Sequence, residues 1–115
     1  MDKQRLLLEQ KQMRVFPKLR TFALFEDDIY LRNSWKRYFW KGYGPTGHQI
    51  KVHYPDDYPY EAPKIIVSPD VNTHHKYGED ICYYKGNEWN ANYTAATAAF
   101  IAFRFLNDYK KGRLD

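Results

Sequence analysis

Tyr54-Pro55-Asp56-Asp57-Tyr58-Pro59-Tyr60-Glu61-Ala62-Pro63 is the stretch whose reading decides the architecture. Its prolines recur every four residues. Each removes a backbone donor and fixes its own φ, which excludes a central strand and a helix. The segment reads as a rigid, extended connector, with Tyr54, Tyr58 and Tyr60 supplying rings for packing. Just before it, Ile50, Val52 and Tyr54 alternate with Gln49, Lys51 and His53, the pattern of a strand with one buried and one wet face. His53 then falls on the wet face. Just after it, Lys64-Ile65-Ile66-Val67 reads as a short buried strand stopped by Ser68-Pro69-Asp70.

Further out, residues 21–40 are rich in aromatic and β-branched side chains. Phe22-Ala23-Leu24-Phe25 and Ile29-Tyr30-Leu31 flank the turn-prone Glu26-Asp27-Asp28, which predicts a hairpin or two consecutive strand segments. Trp35 to Trp40 is a further aromatic run, and Gly42-Tyr43-Gly44-Pro45-Thr46-Gly47 a loop. Residues 2–15 read as a helix. Leu6, Leu7, Leu8 and Met13 form its apolar side, and Asp2, Lys3, Gln4, Arg5, Glu9, Gln10, Lys11 and Gln12 its polar cover. Pro17 disfavours helical geometry at Phe16 and ends it. Asn92-Tyr93-Thr94 opens a last helix, with Asn92 or Thr94 as its cap. Ala95, Ala98, Ala99, Ala102, Phe103 and Leu106 make a stripe of helical period, small enough to pack closely on a sheet. Gly112 suits the stop, and Lys110, Lys111 and Arg113 suit the negative end of the helix dipole. Helix, about four consecutive strands, irregular loop, helix: the class is α+β with an antiparallel meander.

The 115 residues fit one domain, 1–115, large enough to fold on its own core. An aromatic content of 18% excludes a disordered chain. One cysteine cannot form an internal disulfide, and no apolar run approaches a membrane span, so the expectation is a cytoplasmic protein with no membrane partner. A net charge of +4 permits binding to nucleic acid or to an acidic protein. The only dense basic groups are Lys36-Arg37 and Lys110-Lys111-Gly112-Arg113. With neither a basic stripe nor a recognition motif, nucleic acid is disfavoured as a partner.

Chemistry is expected between His74 and Trp89, the stretch that holds Cys82. Free cysteine is often a small buried hydrophobe. Here Gly78, Glu79, Asp80, Gly86 and Asn87 mark a loop, so a reactive thiol and a packed one both remain open. A thiolate suits acyl transfer, since its thioester is readily attacked by an amine. His74 lies eight residues before Cys82 and is a candidate oxyanion donor, base or loop organiser. His75 is adjacent and is the alternative, because neighbouring side chains in an extended segment point apart. Tyr83 and Tyr84 are candidates to line the site, and Asp80 to orient an amine. One Cys, two adjacent His and scattered carboxylates match no ligand pattern, so no metal and no cofactor are expected.

The ordered set of the residue 54–63 segment, His74, Gly78-Glu79-Asp80-Ile81-Cys82, Trp89 and a following helix resembles the core of the ubiquitin-conjugating (E2) enzymes. Gly42-Tyr43-Gly44-Pro45 is similar to that family's Gly-Pro turn, and the likeness spans about residues 20 to 110. It implies a UBC-like fold: an N-terminal helix, a four-stranded antiparallel meander, an active-site loop and a central helix, without the C-terminal helices of eukaryotic members. It also implies a cysteine that takes a ubiquitin-like protein from an E1-like activating enzyme and passes it to a target lysine. The family's His-Pro-Asn tripeptide is missing, and His74 stands at that offset. In this the chain is similar to compact bacterial E2-like proteins, those encoded beside ubiquitin-like proteins or in CBASS anti-phage islands, which implies a ubiquitin-like protein or a CD-NTase-type protein as the modifier. The rival readings are an E2-variant or RWD-like binding module, a thiol hydrolase that removes such tags, and a basic nucleic-acid binder.

Overall fold

The computed structural model describes residues 1–69 and 89–110, together with the strand pairing of residues 76–77 and 80–81. Strands β1 (Ala23–Glu26), β2 (Tyr38–Tyr43), β3 (Gln49–His53) and β4 (Lys64–Ser68) form the expected antiparallel meander. Two short strands, β5 (Lys76–Tyr77) and β6 (Asp80–Ile81), extend it, giving the order β1-β2-β3-β4-β6-β5. Helix α1 (Lys3–Val15) precedes the sheet and α2 (Ala95–Lys110) follows it. Among the described residues, no helix is long and apolar enough to cross a membrane.

Register converts period-2 alternation into two distinct faces. Trp40 opposes Val52, which opposes Ile65; Gly42 opposes Ile50, which opposes Val67. These inner side chains are buried, those of β3 and β4 against α2, whose Ala95, Ala98, Ala99 and Ala102 allow close approach and whose Phe105 and Leu106 fill the remaining space. Full burial of an aliphatic side chain such as Ile50 or Val67 contributes about 1.5–3 kcal/mol. Gly42 is dictated by this packing, because a Cβ there would lie 2.5 Å from the Phe22 ring. Gly47 is dictated by backbone, its φ of 81° closing the β2–β3 turn.

Several local expectations need correction. Residues 29–31 are not a strand: Ile29 is 81% and Leu31 77% exposed, and the chain makes turns there before a 3-10 turn at Trp35–Arg37. β-propensity needs a paired, half-buried surface to act on, and this segment has none. The proline segment is coiled rather than extended, with Tyr58 N–H donating to Pro55 O at 3.3 Å and Tyr60 N–H to Asp57 O at 2.8 Å. On α2 the buried stripe passes through Phe105, while Phe103 is only partly buried. The largest departure is in α1. Leu7 and Leu8 are exposed, and the inward positions are Met13 and Glu9, a carboxylate with no solvent access at all.

Candidate active site

Glu9 is held in the core by donors from three separate parts of the chain. Its Oε1 accepts from Tyr54 Oη at 2.9 Å and from the Ala95 backbone N–H at 2.6 Å. Its Oε2 accepts from Tyr58 Oη at 2.8 Å and from Arg5 Nε at 2.9 Å. Trp40 Nε1 donates to Tyr54 Oη at 2.8 Å, so the chain of donors reaches the sheet. A buried carboxylate is tolerable only when its lone pairs are satisfied and a cation is near, and both conditions hold here. No buried side-chain polar atom among the described residues lacks a partner. Burial, followed by the Glu9 charge, pushes the pKa of both Tyr54 and Tyr58 well above the usual phenol value, which keeps them neutral donors.

This cluster bears directly on the segment that carries Cys82, because it fixes the far root of that segment. Glu9 caps the first turn of α2 at Ala95, taking a backbone donor that has no partner within the helix. Arg5 donates to Ala91 O at 3.3 Å and, at close range, to Tyr93 O. Trp89 Nε1 donates to Pro59 O at 2.7 Å, and its ring lies against Tyr58 and Tyr93 with centroids 5.8 and 5.7 Å apart. Trp35, Tyr54 and Tyr58 continue that aromatic run, with centroids 4.6 to 4.9 Å apart. The proline segment therefore works as a wall on which Trp89 and α1 both dock.

The near root is made by the sheet. Asp80 pairs with Ile66 of β4 and with Tyr77 of β5, and Ile81 pairs with Lys76. Cys82 follows Ile81 in the chain, and His75 precedes Lys76. Cys82, His74, His75, Tyr83 and Tyr84 lie outside the described residues, as does the Asp80 side chain. What is described is the frame: strand pairing on one side of the segment, and the Trp89, Arg5 and Glu9 contacts on the other. A cleft of about 660 Å³ between α1 and the β1–β2 connection, lined in part by Leu6, Leu7, Arg32 and Tyr38, lies apart from this frame.

Sequence reasoning assigned Arg5 and Glu9 to solvent, yet they organise the frame. A signal was present. Leu6, Glu9 and Met13 stand at i, i+3 and i+7, so Glu9 shares a helix face with two apolar residues.

No protein-family model matches the chain, and no curated protein matches it in sequence. In three dimensions it is similar to the solved structure of human ubiquitin-conjugating enzyme E2 G1, with a TM-score of 0.60 and 21% identity over 89% of this chain and 93% of that one. The chain has the UBC-like α+β fold.

Proposed function

We propose that this chain is an E2-like conjugating enzyme that carries a ubiquitin-like protein, or a CD-NTase-type modifier, as a thioester on Cys82. One observation carries the reading. The lone cysteine follows directly on β6 and precedes the Trp89 anchor, so it occupies the segment that a UBC-like fold holds between its sheet and its central helix. In the reaction, the Cys82 thiolate attacks the thioester carbonyl of a charged E1-like enzyme. The E1 sulfur leaves as a thiolate, and a new C–S bond forms at Cys82. A neutral lysine amine of the target then attacks the Cys82 thioester. The tetrahedral oxyanion collapses, the C–S bond breaks, Cys82 departs as thiolate, and the nitrogen, now in an isopeptide bond, gives up its proton to solvent or to a nearby base. His74 is the proposed donor to that oxyanion and His75 the alternative; Asp80 is the candidate to orient the amine. The compact bacterial setting, with the E1-like enzyme and modifier encoded nearby in a conjugation or anti-phage system, belongs to the same proposal, as does a cytoplasmic location.

Incubation with the neighbouring E1-like protein, its modifier and ATP, followed by a non-reducing gel, tests it. The expected result is an adduct that thiol reductant removes and that Cys82→Ala abolishes. His74→Ala should leave loading intact and slow discharge to lysine, typically by about 10²–10³-fold if it holds an oxyanion; His75→Ala is the matched control. A charged E1 that never transfers to the wild-type chain would overturn the conjugating reading and leave the non-catalytic binding module of the same fold.

A further inference from the structure

The sheet has a second, outward face on which no described helix packs. Its positions on β1 to β4 are Ala23 and Phe25; Phe39, Lys41 and Tyr43; Gln49, Lys51 and His53; and Lys64, Ile66 and Ser68. None is acidic. Two rows matter. Phe25, Phe39 and His53 oppose one another across three strands and their rings are nearly parallel, Phe25 to Phe39 at 5.5 Å and 17°, Phe39 to His53 at 4.9 Å and 14°. In the next row Lys41 lies directly opposite Lys51. Lys41 Nζ sits 4.7 Å from the Phe25 centroid and Lys51 Nζ 5.9 Å from that of Phe39, so the ammonium groups flank the ring stack.

Like charges directly opposite in a sheet are destabilising, so fold stability alone does not account for this pair. The linear sequence hides the cluster, because its cross-strand partners lie ten residues apart or more and only the register brings them together. Among the described residues, Asp27 and Glu61 stand with His53 at one rim of the face, where they help to line a cleft of about 470 Å³. The strands that carry Lys41 and Lys51 hold no acid, and the same row continues through Ile66 to Asp80 on β6.

We propose that this outer face binds single-stranded nucleic acid, with bases against the Phe25–Phe39–His53 row and backbone phosphates on Lys41 and Lys51. Rings with ammonium groups beside them are the combination that holds single strands without sequence preference: bases stack, phosphates pair, and counterions are released. A purely acidic peptide would satisfy the lysines but would offer the rings no flat apolar partner. The net charge of +4 is compatible with this class of ligand. The proposal is independent of thioester chemistry at Cys82 and goes beyond it.

The test is fluorescence anisotropy with a labelled single-stranded oligonucleotide of about 15 nucleotides, titrated at several salt concentrations, with a polyglutamate peptide as competitor. The full chain is compared with Lys41→Gln/Lys51→Gln and with Phe25→Ala. Expected for the wild type is saturable, salt-sensitive binding. The double lysine variant should weaken it by at least about tenfold and flatten the log–log salt dependence by about 1.4, which is two phosphates at about 0.7 each. Phe25→Ala should weaken oligonucleotide binding by about tenfold and leave polyglutamate binding alone. Circular dichroism of each variant confirms that it folds. Absence of binding at low salt, or equal binding by the folded double lysine variant, would overturn the proposal. So would polyglutamate competing as strongly as the oligonucleotide with no sensitivity to Phe25; that result would assign the lysines to an acidic protein instead.

Discussion

On the inner side of the molecule Glu9 is fully buried and accepts from Tyr54, Tyr58, Arg5 and Ala95, whereas on the outer side Lys41 and Lys51 stand opposite one another with no acid on their strands. The inner charge is bound into the structure, and removing it strands several donors at once. The outer charges are placed where structure gains little from them, which leaves them available to a ligand. In one small sheet, then, burial and register separate structural charge from binding charge.

The comparison breaks first at Glu9. Glu9→Ala leaves two phenols, a guanidinium and a helix N–H without their acceptor, and should cost about 3–5 kcal/mol, read as a lower urea midpoint at unchanged slope. A loss under about 1 kcal/mol would mean that the cluster is incidental. Gly42→Ala tests the packing beside it. The added methyl meets the buried Phe22 ring, and the expected cost is about 1–3 kcal/mol. Trp89→Phe keeps the ring and removes the bond to Pro59 O, for about 1 kcal/mol. If Trp89 also steadies the segment that carries Cys82, this variant should slow discharge of the proposed thioester more than its stability loss explains, and single-turnover measurement separates the two.

The smallest effect belongs to the outer face. Burial, then the charges of Lys51 and Lys64, lower the pKa of His53 below its ordinary 6.5. The unfolded chain therefore binds the proton more readily. His53 contributes fully above about pH 6.5, and that contribution is lost as the pH falls through the window between 6.5 and the lowered folded value. His53→Phe, which keeps a ring against Phe39, should flatten that part of the stability profile between pH 7 and 5, measured by thermal melts in a pH series. A profile unchanged by the substitution would place the acid sensitivity elsewhere.

Much of the fold was legible in linear patterns. Alternation in residues 49–54 announced β3 and its two faces, Pro17 closed α1, and the alanine-rich period of 3.6 announced α2. Residues 29–31 misled, because β-branched and aromatic side chains announce a strand only where a partner strand is available. The candidate site was marked in the sequence by an order of motifs around Cys82, which itself lies outside the described residues. Its frame was not, because the cap on α2 comes from Glu9, 86 residues away, and no local rule for Asn92 or Thr94 anticipates a donor paired at that distance.

By itself the sequence determined the two helices, the four-stranded meander between them, the α+β class and the place of the single thiol in the chain, since these rest on periodicity, proline chemistry and residue type. Tertiary structure alone decided that Glu9 is buried and Leu7 exposed, and that the proline segment coils into a wall for Trp89. It alone also brought Lys41 to face Lys51 beside a row of rings. Those outcomes depend on which residues meet across long stretches of chain, and burial and register, unlike periodicity, are properties of the meeting and not of either partner.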